Sequence, residues 1–265
     1  MAGLIKVGDA TEFGDSFQVS KILKMNDGSA LGIGSGTIGS ITGVLAVRFN
    51  SDGTIDGDPA QISLNPSGVP DAAVLNDGRV FVAWSGTDLN NPGASGLDIF
   101  GRHLRSDGLP VSDEYLINKG VVGRQENVSV TGVNSGLAFV TWDSSGNSFG
   151  GVPRGIYGQV VDPVSGSTSD EDFLLAEVET NTIRNGDWMP RANGPVQGFW
   201  TEFNFDNDDS GFDIVTQRFS SNGTPIGEAM LVSENSAGVQ GGVQATLLNN
   251  GNYAVIWSGS ETSNN

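Results

Sequence analysis

A repeat of about 58 residues runs through most of this chain, and it constrains the fold more than any other feature. Segments that combine apolar residues with a tryptophan follow one another at intervals of 58, 58 and 57 residues: FVAWSG at Trp84, FVTWDS at Trp142, GFWTEF at Trp200 and AVIWSG at Trp257. A second motif, which ends in a turn glycine, recurs at intervals of 55, 58 and 57 residues, at Gly53, Gly108, Gly166 and Gly223. Two motifs in phase over four copies indicate one structural unit repeated in series. MNDGSALGIGSG at 25–36 is a fifth, degraded copy.

Each unit contains four short β-type segments. The first is QISL (61–64), YLIN (115–118), FLLA (173–176) or MLVS (230–233), with LIKV (4–7) as the front copy. The second precedes a turn such as Asn76-Asp77-Gly78, and Asp-Gly between β-type runs is a strong hairpin signal because it suits positive φ at both central positions. The third carries the tryptophan and the fourth an IxGxxx pattern. This gives 19 strands, and since no segment joins a 3.6-residue period to capping residues, we expect almost no helix.

Four-stranded antiparallel units in series are typical of a β-propeller. The 265 residues hold between four and five units. The sequence therefore predicts an all-β fold, a five-bladed β-propeller forming a single domain over 1–265, with one blade incomplete. The repeat units are about 4–49, 60–104, 114–161, 172–219 and 229–259. A β-solenoid or two packed sheets is the alternative.

The tryptophans of the repeat stand between apolar neighbours, so we expect them to pack between adjacent sheets. Trp188 differs, because it lies outside the repeat slot in the polar segment RNGDWMPRANG. We therefore expect Trp188 to be exposed in a binding loop. His103 occupies the slot that Arg48 and Arg218 hold in sister units, which predicts a surface position.

Composition excludes several function classes. The chain has 13 basic and 31 acidic residues and a net charge of −18, which argues against binding to nucleic-acid phosphates or to an anionic membrane surface. It has no cysteine and one histidine, so disulfides, thiolate zinc sites and cysteine nucleophiles are ruled out. The first residues lack the pattern of a secretory signal peptide. No apolar run is long enough for a transmembrane helix.

The repeat resembles one found in large secreted bacterial proteins of the repeats-in-toxin class and in related adhesin-like surface proteins. FVTWDSSGNSFGGVPRGIYGQVV at 139–161 and DIVTQRFSSNGTPIGEAMLVSEN at 213–235 carry the resemblance. It implies a β-propeller-like protein with an adhesive or scaffolding role. We expect an extracellular or cell-surface location that the protein reaches without an N-terminal signal peptide, with the virion as the alternative location. The calcium-binding nonapeptide of that class does not occur in this chain.

The loops between third and fourth strands are rich in Asp, Asn and Gly, and loops on one rim of a rigid fold commonly form binding sites. Candidate binding residues are Asp88, Asn90, Asn91, Asp143, Trp188 and Glu202. Asp206, Asp208 and Ser210 alternate in the manner of calcium ligands. With Asp213, and with Glu202 as a further candidate ligand, they predict a Ca²⁺ site; a solvated acidic loop is the alternative.

Three functions remain open. We expect a non-enzymatic extracellular binding or adhesion module that recognises glycans or a surface partner. The first alternative is a structural component of a surface layer, filament or virion, joined to neighbouring subunits through the incomplete blade. The second is a polysaccharide-active enzyme that uses carboxylates in a central channel. Asp143 and Glu202 follow tryptophans and are candidates for such a role, whereas Asp98 and Asp213 hold equivalent slots, which favours a structural role for them.

Overall fold

The computed structural model describes residues 16–64, 66–87, 96–120, 123–133, 136–146, 153–169, 171–178, 183–191, 196–203, 211–233 and 238–260. Regular structure in these residues consists of 18 β-strands and no helix. No helix that could span a membrane occurs among them. The all-β class expected from the sequence is therefore confirmed. The front segment LIKV (4–7), the nineteenth strand of the sequence analysis, lies outside the described residues.

The strands form four sheets. The first sheet consists of β1 (Gln18–Lys24), β2 (Ala30–Ile38), β3 (Ile41–Phe49) and β4 (Ala60–Ser63). The second consists of β5 (Asp71–Val74), β6 (Val80–Gly86), β7 (Asp98–Leu104) and β8 (Tyr115–Leu116). The third consists of β9 (Gln125–Gly132), β10 (Ala138–Ser144), β11 (Arg154–Val161) and β12 (Phe173–Val178). In each of these sheets consecutive strands are antiparallel neighbours.

The fourth sheet is larger. It contains β13 (Ile183–Pro190), β14 (Val196–Phe203), β15 (Gly211–Phe219), β16 (Pro225–Leu231), β17 (Gly238–Leu247) and β18 (Tyr253–Ser260). Residues 215–219 of β15 pair antiparallel with β16. At its start β15 also pairs in parallel with β17, through Gly211–Gly238 and Phe212–Val239. The final hairpin is thus joined to the fourth sheet.

This topology differs from the sequence expectation in two ways. First, QISL, YLIN, FLLA and MLVS do not open their units, because β4, β8, β12 and β16 each pair with the strand before them. The sheet boundaries therefore lie one strand later than the repeat units drawn from the sequence. Second, the described residues form four sheets and not five, and none of these sheets closes on itself.

The hairpin turns occur where the sequence placed them, but with a different geometry. At 25–29 the amide of Gly28 donates to the carbonyl of Met25, and the amide of Met25 donates to the carbonyl of Ser29. Only the glycine of this turn has positive φ, at 85°. This is a type I turn followed by a glycine bulge, not a two-residue turn with two positive φ values. The same pair of bonds recurs at 75–79 and 248–252.

The core lies between successive sheets. Three apolar clusters join the first sheet to the second, the second to the third, and the third to the fourth. Trp84, Trp142 and Trp200 are each 1% exposed and belong to these clusters, so their predicted packing between sheets is confirmed. Trp257, at the same repeat position in β18, is 38% exposed. In the described residues no further sheet covers it.

Two sequence-based expectations about burial are wrong. Trp188 is 1% exposed and stacks on Trp200 with ring centroids 6.2 Å apart, because the side chains of β13 alternate and this one faces the core. His103 is also buried. Desolvation lowers the pKa of its imidazole below the ordinary value of 6.5.

Candidate functional site

Five strands converge on one cavity: β1, β5, β9 and β13, which begin the four sheets, and β17, which begins the final hairpin. We call these five the first strands. All of them contribute to the wall of the cavity, whose volume is about 640 Å³. Neighbours along this series, β1 with β5 and so on to β17, contact each other. A concave site of this size is suited to a small molecule or a few sugar residues. The lining residues are Ser20, Lys21, Val69, Pro70, Asp71, Asn127, Val128, Ser129, Gly186, Asp187, Thr201, Gly242, Val243 and Gln244.

Five of the lining residues occupy one equivalent repeat position, seven residues before the glycine of the following turn. We call this set the inner ring: Lys21, Asp71, Ser129, Asp187 and Gln244. In β1, β9, β13 and β17 the pairing register shifts immediately before or at this position. Such bulges re-aim a side chain and are common beside active sites. Local backbone geometry therefore turns the ring residue towards the cavity in four of the five units.

The inner ring is tied together by hydrogen bonds from one unit to the next. Oδ2 of Asp71 accepts from the amide of Val130 at 2.8 Å. Oδ2 of Asp187 accepts from the amide of Ala245 at 2.7 Å. These two bonds are equivalent in the repeat, so each carboxylate also fastens its strand to the next one. Nζ of Lys21 lies 2.9 Å from Oδ1 of Asp71 and forms an ion pair with it.

The environment of Asp187 perturbs its protonation. Burial raises the pKa of this carboxyl above its ordinary value, and the negative charge of Asp71 acts in the same direction. The bond from Ala245 and the charge of Lys21 oppose that shift of the pKa without reversing it. A carboxyl group with a raised pKa, facing a cleft that holds a second carboxylate in an ion pair, suits acid–base chemistry.

Backbone strain also marks this cavity. Asn127 on β9 has φ of 56° and is the only residue other than glycine with positive φ in the described part of the chain. Its Nδ2 donates to Oδ2 of Asp143 at 2.7 Å. Positive φ is uncommon outside glycine, although asparagine adopts it more readily than most residues, and such positions cluster at functional sites. Asp143, predicted from the sequence as a binding residue, thus contacts a residue of the cavity wall.

The other sequence-predicted residues are distributed differently. Glu202 is next to Thr201, which lines the cavity, and it accepts a hydrogen bond from Nε1 of Trp200 at 2.9 Å. Burial raises the pKa of Glu202, and the nearby Asp213 raises it further. Asp213 is fully buried and lies opposite Glu202 in the backbone pairing of β14 with β15. Asp98, in the equivalent slot, accepts from Nδ2 of Asn118 at 2.9 Å.

Six of the predicted residues cannot be placed. Asp88, Asn90 and Asn91, together with Asp206, Asp208 and Ser210, lie outside the described residues. Within the described ranges, no group of three or more metal-ligating side chains is arranged to hold an ion. Trp188, the remaining binding candidate, is buried and unavailable for stacking on a ligand. Of the predicted binding residues that the structure describes, Asp143, Trp188 and Glu202, none lies in the cavity wall.

Sequence reasoning missed the inner ring. A search for shared motifs favours positions where every repeat has the same residue, and this position varies from Lys to Asp, Ser, Asp and Gln. One signal was available in the sequence. The position seven residues before the turn glycine varies in residue type from repeat to repeat, although its distance to that glycine is constant. The predicted site lay in loops, whereas the cavity wall is built mostly on strands.

The comparisons with known proteins concern structure only, because no protein-family model and no curated protein matches the chain. An endo-arabinase from Bacteroides thetaiotaomicron VPI-5482 is similar with a TM-score of 0.53 at 12% identity, over 93% of this chain and 90% of that one. The GH93 α-L-arabinofuranosidase of Fusarium graminearum, solved with arabinobiose, gives 0.57 at 13% identity, over 94% and 76%. An ulvan lyase gives 0.51 at 11% identity, over 97% and 70%.

These findings overturn the expectation of a non-enzymatic adhesion module. The three structures just described are named as enzymes that act on polysaccharides or their fragments. At identities of 11–13%, the structural similarity shows a shared fold and nothing more. The activity of this chain must be argued from its own cavity.

Proposed function

We propose that this protein is a polysaccharide-active enzyme that cleaves a glycosidic bond in the cavity where the first strands converge. The observation that carries the proposal is the inner ring, which presents Asp71 and Asp187 to one cavity in two different electrostatic environments. Two carboxyl groups flanking a scissile bond are the usual machinery of glycoside hydrolysis. The fold shared with carbohydrate-active enzymes supports the same class of substrate.

In this proposal Asp187 is the proton donor. Its pKa is raised by burial, so it stays protonated to a higher pH than an exposed aspartate and can give its proton to the leaving oxygen. Asp71, in its ion pair with Lys21, is the second carboxylate. It either activates a water molecule or attacks the sugar directly. The bonds from Val130 and Ala245 hold the two carboxylates in place, which is the preorganisation that catalysis needs.

The charge of the whole chain favours a neutral polysaccharide. The chain carries a net charge of −18, whereas the inner ring is balanced while Asp187 holds its proton, because Lys21 pairs with Asp71. A polyanion such as a uronate-rich or sulfated chain would therefore meet like charge on approach to the protein. We therefore propose neutral glycans as the partner, at an extracellular or cell-surface location where such polymers occur.

We further infer that the four sheets and the final hairpin are the five blades of a propeller. In support, β1, β5, β9, β13 and β17 follow one another around a single cavity. Spin labels at positions 22 and 247, on β1 and β17, test the ring. Sheets pack about 10 Å apart, so an open row of five would separate the end strands by about 40 Å. A closed ring predicts a separation of less than about 20 Å.

The enzymatic proposal is tested with purified protein and with neutral polymers, arabinan and xylan, beside anionic ulvan. Product release is followed by new reducing ends. Asp187→Asn keeps an oxygen acceptor for the amide of Ala245 but cannot donate a proton from a carboxyl group, so we expect a rate loss of about 10²–10⁴-fold. Asp71→Asn should lose activity comparably. Asp52→Asn, in an exposed turn away from the cavity, is the matched control and should keep wild-type activity.

Three results would contradict the proposal. One is full activity in both Asp187→Asn and Asp71→Asn with the fold intact by circular dichroism. Another is a preference for ulvan over the neutral polymers, which would refute the electrostatic argument about substrate. The third is an absence of product from a broad panel of neutral polysaccharides, combined with an absence of binding in the cavity.

A further inference from the structure

The final hairpin leaves a sheet edge and an apolar surface open. The strand β18 ends the fourth sheet, with β17 on one side and no described strand on the other. In the other four units the equivalent strand pairs on both sides, as β6 does with β5 and β7. Apolar side chains of the hairpin are correspondingly exposed: Val239, Leu247, Leu248, Ile256 and Trp257. Ile256 is 70% exposed, whereas its repeat equivalent Ala83 is buried.

This edge lacks the features that keep sheet edges from pairing. Natural edge strands are short or carry charged residues, which discourage association. The other described edge strands follow that rule. The strands β4 and β8 are short, with four and two residues. The remaining edge strands each contain at least one charged residue: β1, β5, β9, β12, β13 and β16. The strand β18 spans eight residues, YAVIWSGS, without a charge. The whole hairpin 238–260 is uncharged, in a chain with 44 charged residues.

We propose that β18 is a homodimer interface, in which the β18 strands of two copies pair antiparallel across a two-fold axis. The product is a continuous sheet in the order β17, β18, partner β18, partner β17. It has four strands, the same number as each of the first three sheets. A two-fold contact of this kind uses the same surface on both copies and closes on itself. Ile256 and Trp257, which point to opposite faces of β18, each gain a neighbouring side chain from the partner strand.

The distribution of charge leaves one surface on which a second copy can dock. At −18 per chain, two copies repel each other over most of their surfaces. The uncharged hairpin is the surface where they can approach without bringing like charges together, and it offers both apolar area and unpaired backbone groups. Added salt screens the long-range repulsion. Dimer formation should therefore strengthen with ionic strength, the opposite of an interface held by ion pairs.

The backbone pattern identifies a variant that blocks the edge directly. The amide of Leu248 donates to the carbonyl of Asn252, and the pairs Thr246–Ala254 and Gln244–Ile256 continue this ladder. Because hydrogen-bonded pairs alternate along an antiparallel ladder, the amide of Val255 points away from β17. Proline is tolerated on an edge whose amide faces outward. Val255→Pro thus removes a donor from the free edge and keeps the hydrogen bonds between β17 and β18, while the proline ring replaces a side chain that packs on the cluster of Phe199, Ile214 and Val243.

The experiment is sedimentation velocity on the full chain over about 1–200 μM, at low and high salt, a range suited to weak association. We expect the sedimenting mass to shift reversibly from that of the 27.5 kDa chain to twice that mass as concentration rises. The dissociation constant should be lower at high salt. Ile256→Lys should weaken the dimer by at least about tenfold, since each copy then brings a lysine to the shared edge, and Val255→Pro should do the same. Ile22→Lys is the matched control because Ile22 is 67% exposed on β1. It should change the constant less than about twofold.

The remaining outcomes would overturn the proposal. A monomer at every concentration excludes the dimer. Hydrogen exchange of the 253–260 amides then shows whether another segment of the chain protects the edge or the edge stays open. A dimer weakened equally by Ile22→Lys and Ile256→Lys uses a different surface. Open-ended oligomers contradict a contact that closes on itself.

Discussion

Two tryptophans at equivalent repeat positions allow the packing between sheets to be measured against a matched control. Trp142 and Trp257 make the same side-chain bond, from Nε1 to Oε1 of Gln125 at 2.9 Å and to Oε1 of Gln240 at 3.0 Å. Their exposed fractions are 1% and 38%. Replacing either by alanine removes the same atoms and the same hydrogen bond. The two substitutions therefore differ mainly in the packing that is lost.

The size of that difference follows from area. A tryptophan buries roughly 150–250 Å². Because the exposed fractions of Trp142 and Trp257 differ by more than a third, Trp142 buries about 50–90 Å² more than Trp257. At about 25 cal/mol per Å², the difference is about 1.5–2 kcal/mol. We expect Trp142→Ala to cost about 3–5 kcal/mol of unfolding free energy and Trp257→Ala correspondingly less. The Trp142→Ala protein should melt about 3–8 °C below the Trp257→Ala protein.

The assay is thermal and urea unfolding followed by far-UV circular dichroism, at high dilution so that self-association does not stabilise β18. Comparable urea slopes would show that both variants expose the same surface on unfolding. Equal losses of stability in the two variants would refute the reasoning. That result would mean that Trp257 is covered as fully as Trp142, by a segment that completes the fifth unit.

Three further predictions concern single sites. A Cβ at Gly101 would lie 2.5 Å from Cζ of Phe81, so Gly101→Ala should cost about 1–3 kcal/mol. Gly241→Ala meets no atom within 4 Å and should leave the urea midpoint unchanged. Because burial lowers the pKa of His103 below 6.5, its contribution to stability is present above pH 6.5 and is lost as pH falls. Wild type should therefore lose more stability than His103→Gln between about pH 7.5 and 5, and parallel curves would contradict this. The Ca²⁺ site at Asp206, Asp208, Ser210 and Asp213 stays a prediction. Calorimetric titration should show binding that the double variant Asp206→Asn, Asp208→Asn abolishes, and a flat titration would remove the site.

The sequence was sufficient for the local features of the fold. The tryptophan spacing located β6, β10, β14 and β18, and the turn glycines located the hairpins, since both signals depend on residues close together in the chain. It did not determine which strands share a sheet. A serial four-strand repeat has the same period whichever strand is taken as the first, and only the hydrogen bonding of β4 to β3 and of its counterparts decides.

The site was less predictable for a physical reason. In β13 the side chains of Asp187 and Trp188 face opposite sides, so a polar neighbourhood in sequence did not imply an exposed tryptophan. The inner ring depends on bulges that turn Lys21, Ser129, Asp187 and Gln244 inward, and a bulge is not visible in a pattern of apolar residues. The comparisons, finally, contradicted the expected adhesion module: the resemblance of the repeat favoured adhesion, whereas the solved structures that share this fold include an endo-arabinase and an arabinofuranosidase.

The pH dependence of glycan cleavage by the wild type and by Asp187→Asn tests the central claim most directly. With a neutral polysaccharide as substrate, the wild type should lose activity as pH rises past the raised pKa of Asp187, because the carboxyl then lacks the proton it must donate. Asp187→Asn should be slower by about 10²–10⁴-fold and should lack that alkaline limb, while Asp52→Asn matches the wild type. Wild-type rates and an unchanged profile in Asp187→Asn would contradict the account, since the cavity carboxylate would then play no part in the reaction.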